Sequence, residues 1–269
     1  MHPRFSAPYL SVPGTTVPVV DYTAALLEQN QLLGELIRTA DPATPVPSCP
    51  EWTLKQLFTH VGRGDRWAAK IVRDRADAPV ELRAVPDGKP PEDPDGARDW
   101  LLESARTLVE AVSETGPETP VWTFVGPRPS AWWLRRRLHE ATVHRADAAI
   151  ALGARYELSA PLAADGVSEW LAIWHERRVP SRPAALDPGV TLHLHATDDE
   201  LGSEGEWLIR GEDGAVSWEH GHGKGDAAVR GRAVDLLLAV LRRPLADPDA
   251  LDVIGDAKTW QLWLERTPF

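Results

Sequence analysis

The 269-residue chain is long enough for one large or two ordinary domains, and 43% hydrophobic residues suffice for a real core. A formal charge of −11 excludes a sequence-independent nucleic-acid binder and a protein that docks on anionic membranes, since both need a basic face; small molecules are the expected partners. The single cysteine, Cys49, excludes an internal disulfide and any multi-thiolate zinc site, and points to a reducing compartment, the cytoplasm.

No apolar run approaches the roughly 20 residues a bilayer demands, and the N-terminus lacks the charged-then-apolar order of a signal peptide. Of the 29 basic residues only five are lysine, which with abundant alanine and proline suggests a high-GC genome. Residues 1–16, with three prolines, read as a loosely held arm. A first helix is predicted from Val19 to Thr39, with Tyr22, Leu26, Leu33 and Ile37 at helical spacing. The stretch Asp41 to Pro50 holds four prolines and forms a stiff loop. A second helix starts after Thr53, where Gln56 completes a capping box, and His60 lies in its second turn. Gly64, one turn beyond, leaves space beside that imidazole. After a proline-rich connector from Ala78 to Gly96, a third helix spans Ala97 to Glu114. A loop follows from Thr115 to Pro129, with a short extended piece at 121–124. From Ser130 to Leu152 there is no Pro or Gly, and Gly153 stands where the fourth helix would stop. Four such helices make an antiparallel or crossed four-helix bundle, an architecture whose metal sites point inward from facing helices.

Beyond Gly153 the pattern changes. A fifth helix is predicted from Pro161 to Arg178 and a linker from Val179 to Gly189. Strands follow at Val190–Ala196, Glu206–Arg210, Ala215–Trp218 and Ala227–Gly231, then helices at Ala233–Arg242 and Asp256–Arg266. The division is therefore residues 1–158, a helical bundle, and 159–269, a smaller C-terminal α+β domain. A monomer is expected.

Glu140 and His144 are four apart in the fourth helix, which stacks a carboxylate and an imidazole one turn from each other, the separation two ligands of one divalent ion require. The plain alternative is a solvated ion pair. His60 is the best third donor; its own alternative is a hydrogen-bonded core histidine. Two imidazoles and a carboxylate leave zinc at least one open position, the catalytic pattern. A thiol entering it would lose its proton, and the thiolate could add to an electrophilic carbon. No protein cysteine is needed, so Cys49 reads as structural.

The run Val46-Pro-Ser-Cys-Pro-Glu-Trp-Thr53 leading into His60, the block Leu138-His-Glu-Ala-Thr-Val-His-Arg-Ala-Asp147, and an α+β tail with Leu236-Leu-Leu, Gly255-Asp256 and a tryptophan-bearing final helix resemble the maleylpyruvate isomerase family of mycothiol-dependent enzymes, within the DinB-like metalloenzyme group. The resemblance implies a DinB-like N-terminal bundle, mycothiol as thiol, and a divalent metal, usually zinc, on the equivalents of His60, Glu140 and His144. It leaves isomerase and S-transferase open, and the substrate with them. It also implies a C-terminal arginine for an anionic substrate, for which Arg230, Arg232, Arg242 and Arg243 are candidates. A non-catalytic metal-binding regulator and a zinc hydrolase with metal-bound water stay open as alternatives.

Around this core, Asp147 is placed either to orient the free ring nitrogen of His144 or to pair with Arg145 or another arginine. Arg136 and Arg137 lie one turn before Glu140, toward the expected cavity mouth, where either could meet an anionic substrate. Trp67 either walls the pocket or packs in the core, and His139 reads as a surface or supporting residue. A rival metal site is conceivable on His193, His195, His220 and His222, although strand histidines on a solvated face are ordinary.

Overall fold

Asp21 starts the first helix by accepting backbone hydrogen bonds from Thr23 and Ala24, and α1 runs Tyr22–Ile37. The computed structural model describes residues 20–176 and 184–268. The arm at 1–16, the expected helix start at Val19, the end of the expected fifth helix and the first part of the linker from Val179 lie outside the described residues.

The second helix, α2 (Leu54–Arg73), begins as its capping box requires, with the Thr53 amide donating to Gln56 Oε1 at 2.8 Å. It buries Leu57, Phe58, Val61, Ala68 and Ile71 along one face. The third, α3 (Pro94–Thr115), starts earlier than Ala97: Pro94 takes the first helical position, and Asp93 caps it through the Gly96 amide at 2.6 Å. Those residues look like connector in sequence, but proline, aspartate and glycine are all tolerated in a first turn. Val121 is buried in a two-residue pairing of β1 (Pro120–Val121) with β2 (Arg128–Pro129). The fourth helix, α4 (Trp132–Leu152), ends at Gly153, whose φ of 61° needs the freedom of glycine. Helix α1 packs on α3 and α4, and α2 packs on the same two. Helix α4 is buried on nearly every face, so its many polar side chains must find partners inside the protein.

Helix α5 (Ala160–Glu176) faces both parts of the chain. Its Trp170 and Trp174 join Leu192, Leu194, Trp207, Ile209 and Trp263 in the C-terminal core, while Leu162 packs among side chains of α1 to α4. That core is covered by a five-stranded sheet in the order β5-β4-β3-β6-β7, from β3 (Thr191–Ala196), β4 (Glu206–Glu212), β5 (Ala215–His220), β6 (Ala227–Gly231) and β7 (Asp252–Gly255). Only β3 and β6 run parallel; the other neighbours are antiparallel. The parallel step returns through β4 and β5. Helices α6 (Ala233–Val240) and α7 (Ala257–Arg266) complete this part, which makes the chain an α plus β protein. Strand β7 was not foreseen: all four residues are exposed, so the edge strand has no alternation to read. No helix among the described residues is long and apolar enough to cross a membrane.

A polar staple joins α5 to the earlier helices. Asp165 accepts from Arg135 Nε at 3.0 Å, from Arg135 Nη2 at 3.1 Å and from Tyr22 Oη at 3.1 Å, and lies 2.6 Å from His139 Nε2. His139 is therefore buried, not on the surface. Burial opposes the charge on Asp165, but His139 and Arg135 hold its carboxyl well below the usual range. Asp165→Ala should cost about 2–3 kcal/mol, less than a fully buried pair because Arg135 keeps some solvent contact. Urea unfolding checks this, and a loss under about 0.5 kcal/mol would mean the staple is slack.

Candidate metal centre

Thr53 aims α2 so that His60 faces α4, where Glu140 and His144 stand one turn apart. Glu140 Oε1 lies 2.9 Å from His60 Nε2 and 3.5 Å from His144 Nε2. The candidate ligand atoms of the three residues fall within 4.8 Å of one another. The helical spacing thus produces a convergent group, not a solvated pair. Exposure falls from 38% for the His60 side chain to 16% for Glu140 and 3% for His144, so the cluster opens to solvent on the His60 side.

Two of the three members, His144 and Glu140, are held from behind. Asp147 Oδ2 lies 2.9 Å from His144 Nδ1, which leaves Nε2 directed at the cluster. Asp147 is itself fully buried, accepting from Ser48 Oγ at 2.6 Å, from Arg243 Nε and Nη2 at 2.9 Å each, and from Cys49 Sγ at 3.7 Å. Both placements foreseen for Asp147 therefore hold together, with Arg243 as the arginine. Arg145 instead bonds Gln29 and the Glu157 carbonyl. Cys49, His144 and Asp147 also lie close enough to suggest a ligand set, but Asp147 is spent on its hydrogen-bond donors.

Arg136 bridges Glu140 Oε2 at 2.9 Å and Glu169 Oε2 at 2.6 Å. Arg137 donates to Asp65 Oδ1 at 2.8 Å and to the Val61 carbonyl at 3.0 Å, with Glu140 Oε1 3.8 Å away. Both guanidinium groups are buried in ion pairs and not at a cavity mouth. The space left by Gly64 belongs to Arg137, whose guanidinium would stand 2.5 Å from a Cβ there. Trp67 packs edge-on against Trp122 and Trp133 in the core. The aromatic wall is Trp52, with ring centroids 4.7 Å from His60 and 5.6 Å from His144. Its signal was the tryptophan fixed between Pro50 and the Thr53 cap.

Electrostatics favour charge separation here. Burial alone would raise the Glu140 carboxyl, yet hydrogen bonds to His144 and His60 and the charges of Arg136 and Arg137 hold it well below its ordinary value. Burial pulls His60 down. Burial would do the same to His144, but bonding to Asp147, Cys49 and Glu140 pushes it up to about 10. A carboxylate facing two imidazole Nε2 atoms, one ring braced by Asp147, is a donor set that a divalent transition ion fits when it displaces the proton His144 otherwise holds.

The four candidate arginines part company. Arg243 is buried on Asp147, while Arg232 bonds Asp235 Oδ2 at 2.7 Å. Arg230 and Arg242 are exposed. Arg230 and Arg232 share a cleft with Asp235, Asp247 and Asp252, a lining poorly suited to an anion.

Fold and cluster together define a two-part α plus β protein: helices gather an inward His-Glu-His group, and an α+β part reaches behind one of its histidines. Residues 23–149 match the family model described as mycothiol maleylpyruvate isomerase N-terminal domain, and residues 161–262 match the MDMPI C-terminal domain. The chain belongs to the mycothiol-dependent maleylpyruvate isomerase family of enzymes. Its fold is similar to the crystal structure of the mycothiol-dependent maleylpyruvate isomerase, with TM-score 0.58 and 17% identity over 88% of this chain and 92% of that one. A histidine-to-alanine mutant of that isomerase matches with TM-score 0.57 and 15% identity over the same shares. No curated protein matches the sequence.

Proposed function

We propose that the protein is a divalent-metal-dependent enzyme that uses mycothiol to isomerise a small electrophile or joins the thiol to it. One observation carries the reading: Glu140 Oε1 lies within 3.5 Å of imidazole Nε2 atoms from two helices, with Glu140 Oε2 braced by Arg136 and His144 Nδ1 by Asp147. On this reading α1 to α4 are a DinB-like four-helix bundle within residues 1–158, and 159–269 form the second domain. His60, Glu140 and His144 would hold the metal, with zinc the best match to the donor set. When bound, the metal supplies a Lewis-acid position at which a thiol loses its proton.

The chain's own residues then have definite tasks. Asp147 fixes the His144 ring, and Arg136 holds Glu140 with one oxygen turned to the cluster. Trp52 covers one side of both imidazoles and excludes water there. Cys49 donates toward Asp147 and has no bond to make with substrate. The partners are a low-molecular-weight thiol and one small substrate, met by a cytoplasmic monomer.

The test is to incubate the metal-loaded protein with mycothiol and a panel of cis-configured and other electrophiles, following isomerised product by absorbance and thiol adducts by mass. Thiol-dependent turnover of either kind is expected; turnover that ignores mycothiol would favour the hydrolase alternative. Cys49→Ser, which keeps a donor for Asp147, should retain activity within about threefold, and a folded, metal-loaded but inactive variant would make Cys49 the nucleophile.

A further inference from the structure

The outer face of the sheet carries a second convergent cluster. Strand β3 turns Leu192, Leu194 and Ala196 into the core, so His193 and His195 face the other way. His195 stands opposite Glu206 in the register with β4. His220 does not join them. It pairs across from Trp207, a core residue, so it lies on the inner face, with its ring 3.1 Å from the Glu206 carbonyl and 3.4 Å from Ser168 Oγ. One residue of strand parity separates the two faces, which is why four imidazoles do not gather as the sequence allowed. Gly221, at a φ of 140°, then turns the chain and brings His222 round to Glu206.

Three imidazoles converge on one carboxylate oxygen. Glu206 Oε2 lies 2.7 Å from His222 Nδ1, 3.0 Å from His193 Nε2 and 3.8 Å from His195 Nδ1. The ring centroids of the three histidines are 5.3 to 6.2 Å apart. We infer that His193, His195, Glu206 and His222 form a second metal site, which takes a divalent transition cation of the zinc type. It stands apart from the His60 cluster and shares no residue with it.

His193 Nε2, His195 Nδ1 and His222 Nδ1 all face the same Glu206 oxygen, so three ring nitrogens and one carboxylate oxygen are gathered in one place. A divalent cation among them would take the place of the protons through which the His193 and His222 rings meet Glu206. Three nitrogens and one oxygen suit zinc, nickel or copper, and exclude magnesium and calcium, which want oxygen donors. The donor atoms lie within 4.8 Å of one another, against about 3.3 Å between ligands of a tetrahedral zinc at its usual bond lengths. His222, 77% exposed and beyond the end of β5, is free to make up the difference, and its exposure is the entry path. Four protein ligands fill a tetrahedral shell, so the ion would be structural, tying the segment after β5 to the β3–β4 pair.

The experiment uses the full-length, untagged chain, stripped of metal and titrated with zinc against a chromophoric chelator, with metal content read by mass spectrometry after dialysis. His195→Ala/His222→Ala should bind one equivalent less than wild type and lose the part of the zinc-induced rise in melting temperature that belongs to this site. Both positions are partly or largely exposed, so the variant should fold, and its mycothiol-dependent activity should equal wild type. Glu206→Gln should weaken that same equivalent while keeping the bundle's. Equal zinc stoichiometry and affinity in wild type and the double variant would overturn the site and leave Glu206 as a hydrogen-bond acceptor for its histidines. Because the readout is a difference between these two chains, it stands whether or not the His60 cluster binds metal.

Discussion

His60→Ala, Glu140→Ala and His144→Ala are each expected to lose one equivalent of bound metal and to slow mycothiol-dependent turnover by about a thousandfold or more. The estimate follows from the several kcal/mol that a Lewis-acid position supplies, at about 1.4 kcal/mol per tenfold in rate. His60→Ala is the cleanest of the three. Its side chain is 38% exposed and hydrogen-bonds Glu140 among the described residues, so its removal should change stability by under about 1 kcal/mol. Glu140→Ala also strips Arg136 of one of its two carboxylates, and His144→Ala removes a buried ring from Asp147, so both should unfold more easily as well. Metal content, turnover and melting temperature measured together separate these effects. A His60→Ala protein that keeps full metal and full rate would remove this cluster from the chemistry, whatever the other two variants did.

The spacing of Glu140 and His144 was legible because a helix without proline or glycine fixes it, and His60 was legible once its helix had a cap. What surrounds them was not. Arg136 and Arg137 look equivalent in sequence, yet one bridges Glu140 to Glu169 and the other is buried on Asp65. Which arginine meets which carboxylate depends on the rotation and offset of helices against each other, and no local pattern carries that. The same holds for His139, whose partner Asp165 sits on a helix 26 residues on. Strand alternation revealed the outward pair His193 and His195, while the parity of His220 depended on register with β4. Strand β7 left no mark because its pairing is backbone alone on an exposed edge.

Arg243→Ala is expected to do more damage than any other arginine substitution in the C-terminal part, and the way it fails decides what Arg243 is for. Just past the end of α6, Arg242 takes a φ of 62° and the Arg243 amide bonds the Leu238 carbonyl, a left-handed turn that delivers Arg243 to α4. There it makes two parallel bonds to Asp147, whose other oxygen contacts include His144 and Ser48. Removing the guanidinium leaves a buried carboxylate short of its counter-charge, a loss of about 3–5 kcal/mol in stability. Asp147 would also hold the His144 ring less firmly, which should weaken metal binding at His60, Glu140 and His144 by about 10–100-fold. Arg243→Lys keeps the charge but not the paired bonds, and should fall between. Arg230→Ala and Arg242→Ala, both at exposed side chains, should stay within about 0.5 kcal/mol of wild type. A substrate clamp predicts otherwise: Arg243→Ala would keep its metal and its melting temperature while kcat/KM fell. Metal affinity, unfolding and kinetics on the same four variants therefore distinguish a residue that braces a ligand across the two parts of the chain from one that grips the substrate.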